Sequence, residues 1–134
     1  MAKNIVLFSD GTGNSSAKAE KTNVWRLFEA LVQADGTQVA HYDDGVGTSS
    51  NKYLAALGGA FGWGLKRNVI DHYKFVCRNY REGDRIHGFG FSRGAYTVRS
   101  AAGLIRKLGL LHKAHADKTQ MAWDLYRRRD EGPD

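Results

Sequence analysis

A chain of 134 residues with 42% hydrophobic content has the size of one ordinary domain, room for a sheet and a few helices. Its single cysteine, Cys77, excludes an internal disulfide framework and suits a reducing compartment. The formal charge of +6 permits anionic partners, but the basic residues are dispersed and only Arg127, Arg128 and Arg129 form a run. No recognition module for nucleic acid is present, so no nucleic-acid partner is expected.

The first element is a strand. Asn4 to Phe8 is an apolar, β-branched run that enters a Gly-rich loop from Asp10 to Asn14, the pattern of a strand buried on both faces. The run is too short for a signal-peptide core or a transmembrane segment, so synthesis in the cytoplasm without export by the general secretory route is the default expectation. Thr22 or Asn23 can cap a helix in which Val24, Leu27, Phe28, Leu31 and Val32 recur at helical spacing, with Gly36 as its terminator. Val39 to Tyr42, ahead of Asp43, Asp44, Gly45 and Gly47, predicts a second strand feeding a second loop.

After a glycine- and aromatic-rich stretch from Gly58 to Gly64, a second helix is predicted to start near Trp63. Leu65, Val69, Tyr73, Val76, Cys77 and Tyr80 share one of its faces. A turn at Glu82, Gly83 and Asp84 leads to a third strand, Ile86 to Phe91, and then to a third helix marked by Ala95, Val98, Ala102 and Ile105. Residues 113–134 read as a basic, weakly helical tail. Strands alternating with helices imply an α/β fold with three αβα layers and a parallel sheet of about three strands. In the order 2-1-3 the first and third strands would flank a topological switch point.

Between the third strand and its helix, Gly90, Phe91, Ser92, Arg93 and Gly94 spell G-x-S-x-G, the context of a nucleophile elbow. A sharp strand-to-helix turn holds the serine in a strained backbone conformation. Side chains two residues to either side would collide, hence Gly90 and Gly94. Ser92 is therefore the candidate nucleophile, and the Arg93 amide, first in the helix, a candidate oxyanion donor. A second donor is expected from Gly11 or Thr12 in the loop after the first strand, with Asp10 supporting that loop by bonding its amides. The alternative reading of Ser92 is a serine that merely caps the helix.

Three blocks carry a resemblance to a known group: FSDGTGN at residues 8–14, YDDGVGT at 42–48, and the run from Gly62 to Ile105 with its GDRIHGFGFSRGAYTVRSAAGLI. Together they resemble the α/β-hydrolase family that includes the phospholipase effectors of bacterial type VI secretion, up to about Leu110. The resemblance implies a partial α/β-hydrolase fold, Ser92 as catalytic serine, the FSDGTGN loop on the oxyanion side, and an ester or phospholipid substrate. It also implies export by a type VI system without a signal peptide, and no cofactor. In that family the acid lies in a later tryptophan-aspartate block and the histidine beyond it. Neither block is recognisable here, and Trp123 with Asp124 sits in a helix-like, basic stretch. Residues 1–112 thus read as the front part of a catalytic domain, and 113–134 as the start of a segment that the chain does not complete.

The histidines present do not fill the gap. His112 and His115 lie beyond the far end of the third helix, roughly 20 to 30 Å from Ser92 by helical rise, against a hydrogen-bond reach of about 3 Å. His87 is about 16 Å back along the strand, and His41 sits two strands over, about 10 Å sideways. His72 falls mid-helix, and all five read as surface or packing residues. Without a base the chain alone is expected to be nearly inactive. An unpaired outer edge on the third strand would favour self-association.

Rival classes fit less well. A haloacid-dehalogenase-type phosphatase needs an aspartate nucleophile where Phe8 stands. Neither glycine-rich loop, 11–18 or 45–52, has phosphate-loop spacing. A divalent cation held by Asp10, Asp43 and Asp44 would need the three to converge, and no metal is expected. The non-enzyme alternative is a truncated chain acting as an interaction module.

Overall fold

The structure, a computed structural model, describes residues 1–11, 21–31, 33–45 and 60–128. Thr12, Val32, Gly47, Gly58 and Arg129, named above, lie outside the described residues. Three strands, β1 (Asn4–Ser9), β2 (Gln38–Asp43) and β3 (Arg85–Gly90), form a parallel sheet in the order β2-β1-β3. Ser9 is level with Asp43 on one side and Gly90 on the other, so all three strands end together. Among the described residues four helices accompany them: α1 (Asn23–Ala30), α2 (Ala60–Asn79), α3 (Arg93–Leu108) and α4 (Thr119–Arg127).

β1 is central because it can be: Ile5 through Phe8 are buried on both faces, the case in which a continuous apolar run outcompetes an alternating one. Its side chains divide by parity. Val6 and Phe8 face α1, packing with Val24, Phe28 and Leu31. Ile5 and Leu7 face Val76 and Phe75 of α2 and Ile105 of α3. Each such aliphatic side chain contributes about 1.5–3 kcal/mol when withdrawn from water. With α1 on one face and α2 and α3 on the other, the predicted αβα layering is present.

Local signals explain most boundaries. Thr22 caps α1, its hydroxyl accepting the Trp25 N–H at 3.1 Å, a bond of the kind worth about 1 kcal/mol. The helix ends at Ala30, not at Gly36, because Leu31 turns extended and joins the cluster around Val6 and Phe8. Gly36 serves instead in the turn before β2, with φ 73°. The start of α2 precedes the expected Trp63, since Gly62 and Gly64 are helical yet leave no apolar mark in the sequence. Gly109 closes α3, its N–H donating to Ile105 O at 2.7 Å.

In α3 the buried stripe is Gly94, Thr97, Ala101 and Leu104, one residue away from the apolar face read in the sequence. Thr97 tolerates burial because its hydroxyl donates to Arg93 O at 3.4 Å. Residues 113–127 pack back on α2 and α3. A 3-10 turn, Lys113–Lys118, leads into α4, and Ala116, Ala122 and Trp123 share one core with Val69, Tyr73, Ala101 and Leu104. Among the described residues β3 pairs only with β1, and Phe89 and Phe91 remain half exposed. No described helix is long and apolar enough to cross a membrane.

Candidate active site

Ser92 joins β3 to α3 at the end of the sheet where the strands finish. It has φ 54° and ψ −122° and is the only non-glycine residue of positive φ among the described residues. Backbone bonds hold this turn: Phe91 N–H donates to Ser9 O at 3.2 Å, Gly94 N–H to Phe91 O at 2.8 Å and Ala95 N–H to Ser92 O at 3.0 Å. Ser92 stands at the N-cap position, yet its side chain makes no capping hydrogen bond. That removes the simple capping role and leaves the hydroxyl uncommitted.

The flanking glycines are required by contact. A Cβ on Gly90 would lie 2.6 Å from the Ala95 nitrogen, and one on Gly94 would lie 2.6 Å from Asp10 O and also collide with Ser9 O. The helix thus seats directly on the carbonyls where β1 ends. Arg93 is the first residue of α3, so its amide belongs to the positive end of the helix dipole beside Ser92.

The neighbouring β1 loop is anchored by Asp10, which is 2% exposed. One carboxylate oxygen accepts the Gly11 N–H at 2.9 Å. The other accepts the Thr22 hydroxyl at 2.7 Å and the Tyr42 hydroxyl at 2.6 Å. One side chain therefore ties together the end of β1, the start of α1 and the end of β2. Trp25 and Phe28 pack on the Tyr42 ring, and burial followed by the Asp10 bond raises the Tyr42 pKa, keeping the phenol a donor. The sequence marks Thr22 only as a helix cap and Tyr42 only as the end of a strand, and neither is expected there as a partner of Asp10. The alternation Ala40, Tyr42 on the α1 face of β2 is the signal that places Tyr42 there. Among the described residues no group of three or more metal-ligating side chains occurs.

On the other face of β2, His41 meets His72 of α2, Nδ1 to Nδ1, at 3.1 Å, and His72 Nε2 lies 3.9 Å from Asp43 Oδ2. Both histidines act as packing groups, as read above, but they form a coupled cluster that spacing alone did not reveal. Burial, then the neighbouring His41 ring, lowers the His72 pKa to about 3. Burial, then Asp71 and Asp44, raises that of Asp43 to about 7.

The pair has opposed effects on stability. Above its unfolded pKa, Asp43 must keep a proton that the unfolded chain has lost, so its contribution falls as pH rises from about 4 to about 7. His72 stays neutral where the unfolded chain is protonated, so its contribution is present above about 6.5 and lost as pH falls toward about 3. Across the shared window the two offset each other. Asp43→Asn removes only the first. The variant should gain about 2 kcal/mol relative to the parent between about pH 5 and about pH 8, measured by urea unfolding. An unchanged difference at the two pH values would refute the assignment.

No hydrogen bond joins a described histidine to Ser92. His87 precedes the end of β3 and meets Asn4 Oδ1 at 3.2 Å. His112 caps the 3-10 turn past the far end of α3, with His115 inside that turn. Among the described residues no side chain hydrogen-bonds the Ser92 hydroxyl.

Comparison with known proteins adds to this geometry. Residues 3–134 match the family described as T6SS, phospholipase effector Tle1-like, catalytic domain. The chain is also 31% identical over 140 residues to an uncharacterized protein of Saccharomyces cerevisiae, YEL023C, in an alignment covering 94% of this chain and 20% of the yeast protein. It thus spans about a fifth of the length of that curated relative. No solved structure matches significantly.

Proposed function

The chain belongs to the Tle1-like phospholipase effector family of type VI secretion, and on that premise we propose that it carries the nucleophile and oxyanion side of a serine ester hydrolase acting on phospholipid. The observation that carries the reading is the conformation of Ser92. A strained, uncapped serine between two glycines that admit no side chain fits a nucleophile elbow and has no use as a helix cap.

In this reading Ser92 Oγ attacks the carbonyl carbon of a lipid ester while a base takes its proton. The oxygen of the tetrahedral intermediate then faces the Arg93 amide at the start of α3 and the loop of Gly11 and Thr12. Donors preset at that position act most strongly on the charge that develops in the transition state. The Gly11 N–H donates to Asp10 and must exchange that partner to serve the oxyanion. Collapse of the intermediate expels the lipid alcohol, and water releases the acyl group from Ser92. No cofactor is required. The described histidines make no hydrogen bond to Ser92, so the proton acceptor and its acid are assigned to residues outside this set. Family membership likewise supports export through the type VI system.

Incubation of the chain with a fluorophosphonate probe, followed by peptide mapping, tests the proposal. Slow modification at Ser92, abolished in Ser92→Ala, is expected. Modification at another residue, or labelling that persists in Ser92→Ala, would exclude it.

A further inference from the structure

At the opposite end of the sheet, where the strands begin, lies a cavity of about 700 Å³. Its walls come from five places: Lys3 ahead of β1, Gly36 in the turn before β2, the last turn of α2 with Arg78, the α2–β3 turn with Arg81, and the segment after α3 with Leu110, Leu111 and Lys113. The lining holds four cationic side chains and no carboxylate. Lys3 is neutralised by its ion pair with Asp84, whose carboxyl is thereby held low, at about 2. The side chains of Arg78, Arg81 and Lys113 make no hydrogen bond or ion pair with any described residue.

Part of this charge has a structural explanation. α2 and α3 both end here, and cations in a last helical turn offset the negative end of the dipole. Arg78 is placed for that role in α2, as are Arg106 and Lys107 in α3. Arg81 and Lys113 stand beyond both helices, so dipole compensation does not account for them. Like charges gathered around one concavity repel unless an anion lies among them, and a concave, partly apolar wall strengthens that field.

We propose that this cavity binds a phosphate-bearing ligand, with the Arg78 and Arg81 guanidiniums and the Lys113 ammonium converging on the phosphate. Guanidinium forks match phosphate oxygens in geometry, and the lysine adds a point charge. Leu110, Leu111 and the buried Cys77 supply an apolar side for whatever the phosphate is attached to. The site is remote from Ser92, and the inference does not depend on that serine being catalytic.

Two measurements on the whole chain distinguish the source of the phosphate. Titration calorimetry uses inorganic pyrophosphate. Flotation uses phosphatidylcholine vesicles with and without phosphatidic acid. The variant Arg78→Gln/Arg81→Gln/Lys113→Gln is compared with Arg26→Gln/Arg99→Gln/Lys118→Gln, which removes equal charge away from the cavity. Saturable pyrophosphate binding weakened at least about tenfold only in the first variant identifies a soluble phosphate ligand. Flotation that needs phosphatidic acid and is lost only in that variant identifies a lipid headgroup. No saturable binding in either assay overturns the proposal, as does an equal loss in both variants, which would mark a response to net charge alone.

Discussion

Gly94→Ala is expected to destabilise the protein by about 2–3 kcal/mol, against a helix propensity that by itself favours alanine by about 1 kcal/mol. The sign is decided by position. A Cβ at this second residue of α3 would sit 2.6 Å from the Asp10 carbonyl oxygen and closer still to that of Ser9. No rotamer moves a Cβ, so the helix must back away from β1. That withdrawal would stretch the Phe91 N–H bond to Ser9 O and disturb Asp10, whose carboxylate serves Gly11, Thr22 and Tyr42. Gly103→Ala in the same helix is the control, because its added Cβ would meet the Tyr126 hydroxyl at 3.0 Å, the tip of a side chain. Urea midpoints for the two variants should differ widely. If they agree, the contact between α3 and the end of β1 is not as tight as the geometry requires.

The same contact shows what can be read from a sequence and what cannot. The strand order, the Thr22 cap and the G-x-S-x-G turn are local or topological signals: a β-branched run, an Ser/Thr-type cap before an apolar face, and right-handed crossovers that leave few arrangements for three strands. Glycine at positions 90 and 94 is legible because it marks a backbone approach, although what it approaches is visible only in three dimensions. Asp10 was legible as a loop residue, whereas its Thr22 and Tyr42 partners arrive from 12 and 32 residues away. His41 and His72 are 31 apart and join only because β2 and α2 share a face. The face of α3 was misread by one position because glycine, threonine and alanine line it, residues with little apolar signal. Leu31 left its helix for the same kind of reason: the gain from burial against Val6 and Phe8 exceeds that from one more helical turn.

Ser92→Gly should be about 1 kcal/mol more stable than Ser92→Ala, while both lose the slow fluorophosphonate labelling expected of the parent at this position. An ordinary unstrained loop gives the reverse stability order, since glycine frees the unfolded chain and costs about 0.5–1 kcal/mol; a working N-cap also favours glycine over alanine, but there Ser92→Ala would itself be destabilising by about 1 kcal/mol. Here a side chain is held at φ 54° and ψ −122°, a conformation whose cost is about 1–3 kcal/mol for a non-glycine residue. Glycine releases that strain and alanine retains it. Ser92→Ala itself should leave stability close to that of the parent, because the serine makes no capping bond to lose, whereas loss of a working cap costs about 1 kcal/mol. Stability and reactivity therefore separate: one variant is relaxed and unreactive, the other strained and unreactive. Reactivity follows the hydroxyl, and strain follows the Cβ. If alanine proves more stable than glycine at this position, the backbone stores no strain at Ser92, and the elbow loses the observation on which it stands.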